Sequence, residues 1–62
     1  MTLFDCLPAL REGKTIKRRF GDGFVYHVKN QRGYLIIRYG RIWDSFEPSL
    51  DTLEATNWEV EE

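Results

Sequence analysis

Residues 24–46 read FVYHVKNQRGYLIIRYGRIWDSF, a run in which three apolar segments are separated by two short breaks. Apolar side chains recur at alternate positions in residues 24–28 and fill most of residues 34–37, which is typical of β-strands. The break at 29–33 is polar and ends in glycine, whereas Gly40 and Arg41 leave room only for a tight turn. The run therefore predicts strands at 24–28, 34–39 and 42–46, with the most apolar, 34–39, at the centre of the sheet.

The same period of two begins earlier, at residues 16–20, where apolar and basic side chains alternate before a turn at residues 21–23. Upstream of this strand, the leucines at positions 3, 7 and 10 recur at helical spacing, and Gly13 supplies a stop. Asp5 as the N-cap places Pro8 in the first turn, where its missing N–H costs nothing. We therefore expect a short helix from about residue 4 to 12.

The C-terminal segment predicts a helical turn and a last strand. Ser49 is a good N-cap, and Asp51 is favourable in the first turn. The side chains expected to be buried in this turn are Leu50, Leu53 and Ala55. Asn57 ends the turn, and residues 58–60 alternate as a strand. The whole chain, residues 1–62, is thus predicted to be one α+β domain with an antiparallel sheet of about five strands, covered on one face.

Charge is strongly segregated along the chain. All nine Lys and Arg residues lie between Arg11 and Arg41 with only two acids among them, a balance of nine minus two, or +7. From Asp44 onward there are seven acids and no base. The acidic tail either neutralises the basic middle within the fold or across a dimer, or leaves a positive surface for an anionic partner. The sequence pI of about 5.8 favours a small anion over an extended nucleic acid.

Size and composition favour a homo-oligomer. A chain of 62 residues buries a small core, and Cys6 is its only cysteine, so no disulfide within the chain supports it. Nine aromatic residues exceed what such a core hides, and we expect some at a subunit interface or in a pocket. No signal peptide or long apolar segment is evident, so a cytoplasmic location without membrane contact is expected.

The strongest local signal is the run Lys17-Arg18-Arg19-Phe20. On a strand, Lys17 and Arg19 project to one face and Arg18 to the other. Cations beside an aromatic ring suit a phosphate and a stacked base. The alternative is an edge strand whose charges discourage pairing with other chains.

Catalytic chemistry has little support in the sequence. His27 is the only histidine and has no serine and acid in a pattern typical of a nucleophilic triad. Cys6 lies in the apolar helix pattern and is expected in the core, and the two tryptophans, Trp43 and Trp58, are expected to be core or interface anchors, with a ligand site as the alternative. No cofactor or metal is indicated, because no Cys and His set has ligand spacing.

Two segments resemble a known family. ALREGKTIKR at residues 9–18 resembles the opening pattern, and FEPSLDTLEATNWEV at residues 46–60 resembles the closing pattern, of a small phage and bacterial family that includes the phage Thoeris anti-defence sponges. The two segments are in the family order and cover about half of the chain. Phe20 stands nearest the place of a family tryptophan, Asn57 stands where the family has aspartate, and the middle of the chain is shorter.

The resemblance implies a homo-oligomeric, non-enzymatic protein that sequesters a cyclic nucleotide immune signal, a cyclic ADP-ribose isomer or a cyclic dinucleotide, in the host cytoplasm. Phosphate contacts would come from Lys17, Arg18 and Arg19, stacking from Phe20 and Trp43, and an edge contact from Asn57. The alternative is a protein that inhibits a host defence effector, a nuclease or CRISPR complex, through its acidic tail. Direct nucleic-acid binding is the third and weakest hypothesis.

Overall fold

The computed structural model describes residues 1–61 and has the predicted α+β architecture. A 3-10 turn and a short helix precede four antiparallel strands, and a second short helix precedes the last strand. The bounds are: 3-10 turn Phe4–Cys6, α1 Leu7–Arg11, β1 Ile16–Arg19, β2 Val25–Gln31, β3 Tyr34–Tyr39, β4 Ile42–Ser45, α2 Leu50–Glu54 and β5 Glu59–Val60.

The N-terminal helix is shorter than predicted, and it begins differently. The Thr2 amide donates to Asp5 Oδ2 at 3.0 Å, and the Asp5 amide donates to Thr2 Oγ1 at 3.2 Å. Asp5 therefore closes the 3-10 turn in a reciprocal arrangement like a capping box and is not the N-cap of α1, a position that Cys6 occupies. Pro8 does lie in the first turn of α1, and Gly13, at φ 86°, ends the helical segment.

The five strands form one sheet in the order β4-β3-β2-β1-β5, and every neighbouring pair is antiparallel. The prediction that residues 34–39 form the central strand is wrong, because β5 pairs with the outer side of β1 and makes β2 central. The predicted loop at 29–33 is also too long. Strand β2 continues to Gln31, and only Arg32 and Gly33, both at positive φ (53° and 89°), form the type I′ turn.

The core lies between the sheet and the helical segments. One cross-strand row contributes Ile16, Val28 and Ile37, and the N-terminal segment contributes Leu3, Cys6 and Leu10. Trp58, only 1% exposed, completes this cluster, and its Nε1 donates to the Thr52 carbonyl at 3.2 Å. The prediction that Cys6 lies in the core is confirmed, and of the alternatives open for the two tryptophans, Trp58 is a core anchor whereas Trp43 is not in the core.

Helix α2 is capped as predicted but buries a different residue. The Ser49 hydroxyl oxygen accepts from the Thr52 amide at 3.3 Å, which confirms the N-cap. Leu50, predicted to be buried, is 73% exposed, whereas Thr52 is 7% exposed. The reason is that α2 has only five residues and touches the core through Thr52 and Leu53, so Leu50 at its start lies outside that contact. Within residues 1–61, no helix has the length and apolar character that crossing a bilayer requires.

Replacing Trp58 with phenylalanine tests this core. The smaller ring leaves a cavity and removes the donor to the buried Thr52 carbonyl, so we expect Trp58→Phe to lower the free energy of unfolding by about 2 kcal/mol. Urea denaturation followed by far-ultraviolet circular dichroism measures the change. The matched control is Trp43→Phe, for which we expect a loss below about 1 kcal/mol. Equal losses in the two variants would contradict the assignment of Trp58 as the core anchor.

Candidate functional site

The six residues predicted to bind a ligand form two groups on opposite faces of the sheet. Side chains alternate between faces along a strand, and the strand register carries each face across the sheet. Lys17, Arg19 and Trp43 lie on one face. Arg18, Phe20 and Asn57 meet at the edge of the other face, on the side of the helices. A single site composed of all six residues is therefore not formed within one chain.

We call the face opposite α1 the open face. The three fully buried strand residues, Ile16, Val28 and Ile37, all lie on the helix side, and none of the strand residues on the open face is fully buried. The open face is therefore a solvated surface of the described chain. Its charged, polar and aromatic members are Lys17, Arg19, His27, Lys29, Gln31, Tyr34, Arg38, Trp43, Ser45 and Glu59.

One row of register partners crosses all five strands of the open face. In order from β4 to β5, the row is Trp43, Arg38, His27, Lys17 and Glu59. Neighbouring strands are about 4.8 Å apart, so the row spans about 19 Å. It presents an aromatic ring at one edge, cations in the middle and a carboxylate at the other edge.

Trp43 is the centre of the most defined contact on the open face. The Lys29 Nζ lies 4.4 Å from the centroid of the indole ring, and the Arg38 Cζ lies 5.6 Å from it. Both distances fall in the range of cation–π attraction, which holds the two positive charges beside the ring. Trp43 is half-buried, so part of the ring stays accessible to solvent.

His27 connects Arg38 to the acidic end of the chain. The Arg38 Nη2 lies 3.0 Å from His27 Nδ1, and a guanidinium can only donate, so Nδ1 is the acceptor. A neutral His27 consequently carries its proton on Nε2, which lies 3.6 Å from Glu61 Oε2. The imidazole thus positions Arg38 within the row rather than forming part of a catalytic triad.

Lys29, Arg38 and His27 are the members of this surface that the sequence-based site prediction missed. The sequence predicts a loop at Lys29, and Arg38 is a single charged residue in an otherwise apolar strand. The signal was nevertheless present in the period of two. His27 and Lys29 share one face of a strand, and the strand pairing of β2 with β3 places Arg38 opposite His27.

The second group, which we define as Arg18, Phe20 and Asn57, connects the end of β1 to the segment before β5. The Arg18 Nε donates to Asn57 Oδ1 at 2.7 Å, and Asn57 Nδ2 donates to the Arg19 carbonyl at 3.1 Å. The Arg18 guanidinium carbon lies 4.4 Å from the centroid of the Phe20 ring. These contacts satisfy the amide of Asn57 on both sides, and their evident role is to fasten two distant parts of the chain.

The turn between β1 and β2 is stabilised by hydrogen bonds to the Asp22 carboxylate. The Tyr26 hydroxyl donates to Asp22 Oδ2 at 2.6 Å, and the Phe24 amide donates to Asp22 Oδ1 at 2.9 Å. The bond from Tyr26, followed by the amide bond, lowers the pKa of Asp22 below its usual value, and the same carboxylate raises the pKa of Tyr26. The predicted turn at residues 21–23 is confirmed, and it orders the strand that carries Arg19.

Within residues 1–61, the acidic tail forms no ion pair with a Lys or Arg of the basic middle. Across residues 1–61, the carboxylates within 4.0 Å of a basic nitrogen are Glu12, beside Lys14 at 3.3 Å, and Glu61, beside His27. On the open face, no carboxylate oxygen of residues 1–61 therefore lies within 4.0 Å of a basic nitrogen of Lys17, Arg19, Lys29 or Arg38. Neutralisation between subunits stays a prediction.

The helix side of the described chain has an open groove. It has a volume of about 260 Å³ and lies between α1 and the turn joining β2 to β3. Its lining is mostly apolar, with Arg11 and Asn30 at the rim: Leu7, Leu10, Arg11, Asn30, Gly33 and Leu35. In the described part of the chain, no group of three or more His, Cys, Asp or Glu side chains is placed to hold a metal ion.

Comparisons of the chain with protein-family models, with curated proteins and with solved structures found no match. The assignment of a function therefore depends on the geometry of the two groups and on the sequence patterns at the two ends.

Asn57→Ala tests the fastening role of the second group. The substitution removes two hydrogen bonds at an exposed site, so we expect the free energy of unfolding to fall by about 1 kcal/mol. Amide hydrogen exchange at Trp58 and Glu59 should accelerate more than exchange in β2 and β3. Thr56→Ala, one residue away, is the control and should leave both measurements nearly unchanged. Uniform acceleration across the sheet would contradict a local fastening role.

Proposed function

We propose that this protein binds and sequesters a cyclic nucleotide signal on the open face without cleaving it, as a phage protein that blocks a host immune response. The observation that carries the proposal is the position of Lys29 and Arg38 beside Trp43, with Arg38 in the same cross-strand row as Lys17. A nucleotide combines a flat base with an anionic phosphate, and this surface offers an indole ring with two cations about 4 to 6 Å from its centroid.

The family-like patterns at residues 9–18 and 46–60 support the choice of a cyclic nucleotide among the possible nucleotides. They also support a homo-oligomer, in which the open faces or their edges from two copies enclose the ligand. Several large apolar side chains are exposed in the single chain and are available for such an interface, including Phe24, Tyr34, Tyr39 and Ile42. A native mass spectrum reports the number of subunits and any retained anion together.

Sequestration without cleavage fits the side chains of the open face. Its only imidazole accepts from Arg38 and faces Glu61, so it has no free position to activate a water or a hydroxyl. A cyclic nucleotide bound there would be held by charge and stacking and released intact.

A thermal shift experiment with cyclic ADP-ribose isomers and cyclic dinucleotides tests the proposal. A ligand at about one hundred times its Kd should raise the free energy of unfolding by about 2.7 kcal/mol. Lys29→Gln and Arg38→Gln should abolish the shift, because they remove the cations beside Trp43. Chromatography of the released ligand should recover it unchanged.

The control for this experiment is Arg18→Gln, which removes a cation of the second group on the helix side. It should lower the melting temperature of the free protein but preserve the ligand-induced shift. If Arg18→Gln abolishes the shift and the open-face variants do not, the site is at the second group. If no cyclic nucleotide stabilises the protein, the proposed function is wrong.

A second candidate function is inhibition of a host defence protein by the acidic tail. It is favoured by the exposure of Glu54, Glu59 and Glu61, of which only Glu61 has an ion-pair partner within the described chain. Such carboxylates can imitate the charge of a nucleic acid towards a nuclease or CRISPR effector.

Charge reversal separates this candidate from the first. If the tail is the active surface, Glu54→Lys, Glu59→Lys and Glu61→Lys together should abolish protection in a phage infection assay, whereas Arg18→Ala and Arg19→Ala should not. Protection that survives reversal of the tail but is lost with Lys29→Gln would contradict the second candidate.

A further inference from the structure

A second aromatic side chain lies on the open face at a distance from Trp43. Tyr34 is 77% exposed and begins β3, on the same face as Arg38, which is four residues further along that strand. At about 3.4 Å per residue and one strand spacing to Trp43, the backbone positions of the two aromatic residues are about 14 Å apart.

Two cations of the open face, Arg38 and Lys29, lie beside Trp43, and Arg38 shares its strand with Tyr34. Arg38 follows Tyr34 on β3 and is the register partner of Trp43, and Lys29 is on β2 next to Ile36. Lys17 extends the positive strip by one more strand. Of the carboxylates on this face, Glu59 lies at the β5 edge and Glu61 reaches His27 on β2, so the side of the face that carries Trp43, Arg38 and Lys29 is the positive one.

The separation of the rings sets the size of a ligand that uses both. Successive bases along a stacked strand are about 3.4 Å apart, so bases on Tyr34 and Trp43 belong to nucleotides that are not adjacent. About four base steps, that is a strand of about five nucleotides, span the distance, which is near the lower end of the site sizes of known single-strand binding domains. Flat antiparallel sheets with exposed aromatic side chains bind single strands in this manner.

We propose that the open face binds single-stranded nucleic acid, with bases stacked on Trp43 and Tyr34 and phosphates held by Lys29, Arg38 and Lys17. The proposal goes beyond sequestration of a small cyclic nucleotide and does not depend on it. The overall charge of −1 does not oppose the proposal, because a phosphate near the surface responds to the charges within about 10 Å of it. Beside Trp43 those charges include Lys29 and Arg38, whereas Glu59 and Glu61 lie beside Lys17 and His27.

Fluorescence anisotropy of a fluorescein-labelled oligothymidylate of about ten nucleotides tests the proposal with the full chain at low salt. Trp43→Leu and Tyr34→Ala should each weaken binding about tenfold, since each removes one stacking surface. The logarithm of the association constant should fall with the logarithm of the salt concentration at a slope of about −2, as expected for three phosphates. Lys29→Gln should reduce the magnitude of that slope by about 0.7.

Two variants on the helix side provide matched controls. Arg11→Gln removes an exposed cation from α1, and Phe4→Ala removes an exposed aromatic ring from the 3-10 turn. Both should leave the affinity unchanged. Circular dichroism of every variant separates loss of binding from loss of folding, and Lys29→Gln replaces a half-buried side chain of β2 with another polar one.

The outcomes distinguish this inference from the proposed function. Binding of the oligonucleotide without binding of any cyclic nucleotide supports the inference and contradicts the proposed function. Binding of a cyclic nucleotide without binding of the oligonucleotide supports the proposed function and contradicts this inference. Equal competition by duplex of the same sequence, or equal effects of the controls, would overturn the stacking arrangement. If Trp43→Leu dissociates an oligomer and no oligonucleotide binds, the open face is an interface between copies and the inference is wrong.

Discussion

Within residues 1–61, the helical segments pack against only one face of the five-stranded sheet. The helical segments are short, and together they supply Leu3, Cys6 and Leu10 to a core that Trp58 completes. A chain of 62 residues buries only a small core, so the face of the sheet opposite the helical segments has to be compatible with water. The basic side chains at alternate strand positions are compatible with water. The small size of the chain, which limits the core, therefore also leaves a positive, partly aromatic surface on the open face.

The position of β5 explains how the acidic tail and the basic strands coexist. Because β5 pairs with β1 at the sheet edge, Glu59 joins the open face at its border and not in its middle. Asp51 and Glu54 are carried on α2, away from the open face. Segregation along the sequence thus becomes segregation in space, and it leaves the cations between Trp43 and Lys17 without direct carboxylate partners in the described chain.

The sequence patterns gave the number and order of the elements but not their depth of burial. The periods of two and the glycine-containing turns located four strands to within a few residues, because alternation and turn chemistry are local properties. The errors at Asp5 and in the loop at 29–33 are choices between local alternatives, since Thr2 pairs with Asp5 three residues away and a two-residue turn replaces the longer loop. The error at Leu50 has another cause, because burial depends on neighbours that come from elsewhere in the chain.

The sequence alone thus determined the α+β class, the end-to-end charge asymmetry, the placement of Cys6 in the core and the division of Lys17 and Arg19 from Arg18. These features follow from composition and from the strand period. The tertiary structure alone established which strand is central, which residues join Lys17 on the open face, and that Arg18 and Asn57 contact each other. Such relations depend on the register between strands that are distant in sequence, and that register is set by burial of one common face.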